Sequence, residues 1–182
     1  MSVVNNVAAG KPAVGGALSV APAGTTLPTD ATTALGGAFT NLGYISSDGV
    51  TKTITRETEE IKAWGGDTVH TPLTSFGETF QLKLIEYLNP DVRKVAYGDG
   101  NVTGTLANGI TTTIKAVDLA EKVYALDMIV NGAIERIVIP RGKVTAVGDI
   151  VYVDNDVAGY DITITALPDS TGNYSYEYTK QS

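Results

Sequence analysis

An all-β fold with one short α-helix is what this chain predicts, in the form of a two-sheet β-sandwich or partly closed barrel. Three observations carry that expectation. Twenty glycines and a threonine-rich texture punctuate the chain, and the pairs Asp48–Gly49, Asn108–Gly109 and Asn131–Gly132 suit the positive φ of tight hairpin turns. Between turns, apolar and polar residues alternate, as in Tyr160–Ala166, where Tyr160, Ile162, Ile164 and Ala166 interleave with Asp161, Thr163 and Thr165. Only Pro90–Tyr97 has convincing helix signals at both ends.

In chain order, residues 1–28 are rich in Ala, Gly, Val and Pro and nearly uncharged. They read as an extended N-terminal arm, ordered by a partner or disordered alone. Residues 29–182 read as a single domain. Asp30 is placed to cap a short helix over Ala31–Leu35, ended by Gly36. Asn41–Val50 leads into a hairpin turn at Asp48–Gly49. Thr51–Trp64, TKTITRETEEIKAW, has the branched residues of a strand, yet neither face is apolar. One face carries Thr51, Thr53, Thr55, Glu57, Glu59, Ile61 and Ala63. The other carries Lys52, Ile54, Arg56, Thr58, Glu60, Lys62 and Trp64. The seven-residue spacing of Ile54 and Ile61 also suits a helix; the threonines favour a strand.

Trp64–Ser75 reads as a long loop punctuated by Gly65, Gly66 and Pro72. Phe76–Leu88 returns as a strand, with Phe80, Leu82 and Leu84 on one face and Gln81, Lys83 and Ile85 on the other. The helix follows. Asn89 is a good N-cap, Pro90 suits the first helical position, Asp91 sits at the positive end of the helix dipole, and Gly98 can terminate it. Beyond it the pattern is hairpins. Ile110, Ile114 and Ala116 share one face, as do Tyr124, Leu126, Met128 and Val130. Ile134–Ile139 is a strand stopped by Pro140. Ile150–Val153 and Tyr160–Ala166 form a further hairpin, and Tyr174, Tyr176 and Tyr178 line one side of the last strand.

Composition excludes several function classes. The net charge is −7 and the longest basic cluster is Arg93–Lys94, so the phosphate-binding patches of nucleic-acid readers are missing. Cysteine is absent, which removes disulfides, thiol catalysis and thiolate metal sites. The first residues lack a basic n-region and a clean apolar segment, which argues against a secretory signal. No apolar run approaches the ~20 residues of a membrane span.

Candidate chemistry is sparse. His70 is the single histidine, and a zinc site or a Ser-His-Asp triad would both need it. An exposed loop residue is the simpler account. Glu57, Glu59 and Glu60 could do acid–base work only in a pocket that separates their pKa values; beside Arg56 and Lys62 they read as a solvated face. Gly98–Gly104 has the wrong spacing and context for a dinucleotide loop. Asp154–Gly159 resembles a calcium loop but lacks its glutamate, with Thr165 in that place. No catalytic, cofactor or metal site is expected.

Four segments, in this order, resemble the major tail tube proteins of long-tailed bacteriophages, especially those with non-contractile tails. They are APAGTTLPTDATTALGGAFTNLGYISSDGV, EIKAWGGDTV, LIEYLNPDVRKVAYG and ITITALPDSTGNYSYEY. The resemblance covers most of the chain from Ala21 onward and extends to the tube protein of type VI secretion. It implies a β-sandwich or barrel-like subunit with one flanking helix. Such subunits form hexameric rings that stack into a hollow tube, whose continuous β-barrel surrounds the passing genome. It also implies assembly in the host cytoplasm and partners among the tape measure, tail terminator and distal tail proteins. DNA would pass through without specific binding.

That resemblance gives the polar strand a purpose. Burying an unpaired carboxylate costs several kcal/mol, whereas an exposed ion pair returns about 0–1 kcal/mol. A strand charged on both faces therefore suits the wall of a water-filled channel, with Arg56, Glu57, Glu59, Glu60 and Lys62 as lumen candidates and the inward face open. An ordinary exposed hairpin is the alternative. Negative charge would keep DNA from sticking, wherever on the ring it lies. The loop residues Trp64, Gly65, Gly66, Asp67, Thr68, Val69, His70 and Pro72 would make the inter-ring contact. Trp64 there serves either as an interface anchor or as packing at a strand end. A second class of function, a carbohydrate- or receptor-binding sandwich, would need an exposed aromatic platform. The Tyr174, Tyr176, Tyr178 row is its candidate if it does not pack inward.

Overall fold

Period-two alternation and glycine-bearing turns produce an almost wholly extended chain. The structure, a computed structural model, describes residues 10–12 and 16–181. Its strands are β1 (Gly10–Pro12), β2 (Leu18–Pro22), β3 (Thr40–Asn41), β4 (Ile45–Thr58), β5 (Ile61–Lys62), β6 (Thr68–His70) and β7 (Leu73–Leu84). After helix α1 (Pro90–Tyr97) come β8 (Val102–Thr105), β9 (Gly109–Thr112), β10 (Lys122–Val130), β11 (Ala133–Val147), β12 (Tyr160–Ala166) and β13 (Tyr176–Gln181).

Nine strands join one antiparallel sheet along the path β3-β2-β10-β11-β12-β7-β4, with β1 beside β10 and β13 beside β11. Two small hairpins, β5–β6 and β8–β9, lie outside it. Cα atoms of β1 come within 8 Å of β4 at the far end of the path. The sheet thus curls on itself, with no hydrogen-bonded closure among the described residues.

The concave side holds the core. Phe80, Leu82 and Leu84 of β7 oppose Ile164, Ile162 and Tyr160 of β12 in register, and all six are buried. Tyr124, Leu126, Ile137, Ile139 and Val144 extend the same cluster. Val92, Val95 and Ala96 of α1 pack onto it. Each fully buried side chain of this size contributes about 1.5–3 kcal/mol. The helix ends are as the sequence indicates: Asn89 Oδ1 accepts the Asp91 N–H at 3.0 Å, and Gly98, at φ +95°, donates its N–H to Lys94 O at 2.8 Å. A smaller cluster, Ala21, Val123 and Val138, lies on the opposite face.

Several local expectations are corrected. Ala31–Leu35 is not helical. A five-residue helix with Thr32 and Thr33 nucleates poorly, and other bonds claim its backbone. Asp30 Oδ1 accepts both N–H groups of Thr32 and Thr33, while Arg136 Nη1 donates to the carbonyls of Asp30 and Thr33 at 3.1 and 2.7 Å. Asp48–Gly49 does not close a hairpin; it lies within β4, where the register with β7 jumps between Ile45 and Val50. Gly49, at φ +75°, suits such a bulge as well as a turn.

The strand expected over Thr51–Trp64 ends at Thr58, and the returning strand runs Leu73–Leu84 rather than Phe76–Leu88. Ile114 and Ala116 lie beyond β9, with Ile114 exposed. Pro140 does not stop β11. Proline lacks an N–H but is tolerated at a bulge, and here the register shifts as β11 exchanges β13 for β12 as its neighbour. Ile150–Val153 forms no strand; β12 pairs with β11 and β7 instead. The stretch expected as an arm enters the sheet at β2, where Leu18–Ala21 are buried; residues 1–9 and 13–15 lie outside the described residues.

The approach to β13 is held by Asp169. It accepts the Tyr176 hydroxyl at 2.6 Å, the Thr171 hydroxyl at 2.7 Å, and the N–H groups of Thr171 and Asn173. These donors, Tyr176 first, hold its carboxyl well below the usual carboxylate range. A depressed pKa means that the contribution is present above the unfolded value of about 3.9 and lost as pH falls through the folded one. Tyr176→Phe is therefore expected to raise the Asp169 midpoint in an NMR titration and to loosen this loop at a higher pH than in the parent. An unmoved midpoint would show that Thr171 and Asn173 suffice.

Candidate functional site

The β4–β7 register resolves the two faces of the polar strand. Lys52, Ile54 and Arg56 stand opposite Phe80, Glu78 and Phe76, on the concave side. Thr51, Thr53 and Thr55 stand opposite Gln81, Thr79 and Gly77 on the other side. That second face continues across β12 and β11. Thr53, Thr79, Thr165 and Lys143 form one row, and Thr51, Gln81 and Thr163 the next. Thr145 Oγ1 lies 2.8 Å from Thr165 Oγ1. The result is a hydroxyl-rich surface of four strands, exposed on β4 and half-buried on β12. Its charges are of both signs: Glu57 and Asp161 against Lys83, Arg141 and Lys143, with Lys143 Nζ 2.6 Å from Asp118 and Arg141 Nε 2.8 Å from Glu121.

Among the described residues, the sheet bearing this face has two unpaired edges: β4 pairs only with β7, and β11 beyond Gly142 pairs only with β12. Open edges of this length invite another strand.

At one end β4 and β7 leave the body as a projecting hairpin. Every residue from Thr53 to Thr71 is exposed. The expected long loop is partly ordered: β5 and β6 pair within it, Ala63 N–H donates to Asp67 O at 2.8 Å, and Gly66 turns the chain at φ +93°. Trp64 is fully exposed at 105%, so it does not pack at the strand end. Val69, Leu73 and Ile61 are exposed with it. Thr68 and His70 lie in β6, Gly65, Gly66 and Asp67 in the turn, and Pro72 just before β7. The lumen candidates are divided. Glu57 shares the threonine face and Arg56 the concave face, 5.1 Å from the Phe76 ring centre. Glu59 and Glu60 connect β4 to β5, and Lys62 lies in β5.

A charge cluster at the root of the hairpin was not anticipated. Glu78 is 3% exposed; it accepts the Ser175 hydroxyl at 2.9 Å and pairs with Lys52 Nζ at 2.6 Å. Lys52 also bonds Glu177 of β13. Burial works against the lysine's charge, but these two carboxylates outweigh it and raise its pKa. A signal existed: Glu78 is in phase with Phe76, Phe80, Leu82 and Leu84 on an otherwise apolar face.

The opposite end of the β4–β7 hairpin carries a second exposed apolar group, Tyr44, Leu88, Val151, Tyr152, Val153 and Val157. Tyr152 is held there by its hydroxyl, 2.7 Å from that of Tyr87. The tyrosine row is no platform: Tyr176 and Tyr178 stack on each other and pack against Ala21, Val123 and Val138, and Tyr174 packs edge-on to Phe76.

No curated protein matches the sequence. A family model described as phage tail tube protein matches residues 4–181, which includes the threonine face, the projecting hairpin and both apolar ends. The match spans nearly the whole chain, and the protein therefore belongs to the phage tail tube protein family.

Proposed function

We propose that this structural tail tube protein forms hexameric rings that stack into the tube, with the threonine face of β4, β7, β12 and β11 lining the lumen through which the genome passes. The observation that carries this reading is a continuous polar sheet face bounded by two unpaired edges. Pairing the outer edge of β4 with the Lys143–Val147 edge of β11 in the next copy satisfies both, and repetition around a ring closes a barrel without edges. The hydroxyl surface stays hydrated at little cost. Its scattered charges give a phosphate backbone no track of cations to bind, so DNA slides rather than sticks. Much of the negative charge lies off this face, so a neutral, wettable wall explains free passage better than repulsion by the lumen surface. The ends of the tube are completed by other tail proteins, for which the tape measure, terminator and distal tail proteins are the expected partners.

Electron microscopy of the purified protein tests the assembly: rings or tubes are expected, and a persistent monomer under all conditions removes the reading. Accessibility tests the face. The chain has no cysteine, so Thr53→Cys gives a unique thiol. Its reaction with a maleimide too bulky to enter the bore is expected in the free subunit and blocked in tubes with sealed ends. Equal reaction in both states would place β4 on the outside.

A further inference from the structure

The Lys143–Val147 edge of β11 is unpaired but not bare. Residues 113–121, between β9 and β10, have no regular structure, and Val117, Asp118 and Leu119 line a groove with Lys143–Val147. The segment is anchored near both ends. Thr113 donates its N–H to Asn101 O at 2.8 Å, Leu119 packs on the core, and Glu121 pairs with Arg141 at 2.8 Å. Between these anchors residues 114–118 are exposed, and Asp118 ties them to the edge through Lys143 Nζ at 2.6 Å. The edge itself is irregular: its register with β12 shifts between Val144 and Ala146, which leaves Thr145 as a bulged residue. A bulge, an edge lysine and a covering loop are each devices that keep a sheet edge from pairing indiscriminately. All three coincide here.

We infer that residues 113–121 guard the β11 edge, latched by Asp118 on Lys143 in the free subunit and displaced when β4 of a neighbouring copy pairs there. The guard rests on the tube reading above, and it concerns what holds pairing back rather than which surfaces pair. The latch yields readily. Asp118 is 86% exposed within its ion pair, so water and salt compete for both charges. Its release leaves Leu119 on the core and the segment still anchored. A strand arriving at Lys143–Val147 replaces this one contact with a ladder of backbone hydrogen bonds. Closed and open guards are thus two states of one subunit, and only the open state can join a ring. The apparent affinity between subunits is then lowered in proportion to the fraction that is open.

Assembly of the full chain tests the latch. Asp118→Asn keeps the size of the side chain and removes its charge. Its threshold concentration for tubes, followed by light scattering and checked by electron microscopy, is expected to fall by up to about fivefold, the upper end for an exposed pair. Asp154→Asn makes the same change in net charge in an exposed turn and should leave the threshold near that of the parent. A clamp provides the converse. The chain has no cysteine, so Asp118→Cys combined with Lys143→Cys can be bridged within one subunit by a short, reducible bis-methanethiosulfonate. Bridged subunits are expected to stay apart and to form tubes once the bridge is reduced. Tubes built from subunits still bridged, or an Asp118→Asn threshold no lower than that of Asp154→Asn, would overturn the guard while leaving the tube reading intact. Absence of rings and tubes from the unmodified chain would overturn both together.

Discussion

Deletion of Asp67–Pro72 is expected to yield a folded monomer that forms no tubes. The deleted residues make no contact with the core. They supply β6, the Ala63–Asp67 bond, the bond from the Thr68 hydroxyl to Glu60, and the Pro72 carbonyl that accepts the Glu59 N–H at 3.1 Å. The β4–β7 pairing down to Thr58 and Leu73 survives, so circular dichroism and thermal unfolding should match the parent, as for exposed changes elsewhere, within about 0.5 kcal/mol. Assembly should respond differently. Without β6, the turn that displays Trp64 loses its paired strand and Val69 disappears. Trp64→Ala is the milder form of the experiment. An anchoring aromatic is worth about 2 kcal/mol or more at an interface, which is roughly thirtyfold in affinity, and every subunit repeats the contact. Normal tubes from the deletion, seen by electron microscopy, would remove the hairpin from assembly altogether.

What could be read from the sequence was what local chemistry decides. The helix was legible because Asn89, Pro90 and Gly98 each act within one turn of it. Asn131–Gly132 was legible because a two-residue turn with positive φ at both positions, 49° and 83°, leaves few alternatives. Asp48–Gly49 has the same chemistry and a different outcome, since glycine at positive φ serves a bulge equally well. Pro140 misled for a related reason: its missing N–H is harmless where the strand changes neighbours. The apolar run Ile150–Val153 looked like a strand; instead Ile150 packs on the core and Val151, Tyr152 and Val153 are exposed. For the assembly surfaces, the two faces of Thr51–Thr58 were legible by alternation, but not which one turns to the core. That depends on the register with β7, a long-range pairing that puts Phe76 and Phe80 under Arg56 and Lys52.

Lys52→Met is expected to lower stability by about 3 kcal/mol, the scale for removing one partner of a buried ion pair. For a chain of this size that is a fall of roughly 6–12 °C in Tm. The cost comes from what remains. Glu78, buried in the concave face, keeps only the Ser175 hydroxyl. Methionine loses no packing against Phe80, over whose ring the ammonium now sits at 5.5 Å. Adding Glu78→Gln removes the stranded charge, and the double variant should recover most of the loss. If the single variant unfolds at the parental temperature, water reaches Glu78 and the pair is not a buried one. Assembly provides a separate readout, because Lys52 also ties β4 to Glu177 of β13 at the point where the hairpin leaves the body. The double variant regains stability without regaining that tie. If the tie aims the hairpin at the next ring, the double variant should melt like the parent and still stack poorly.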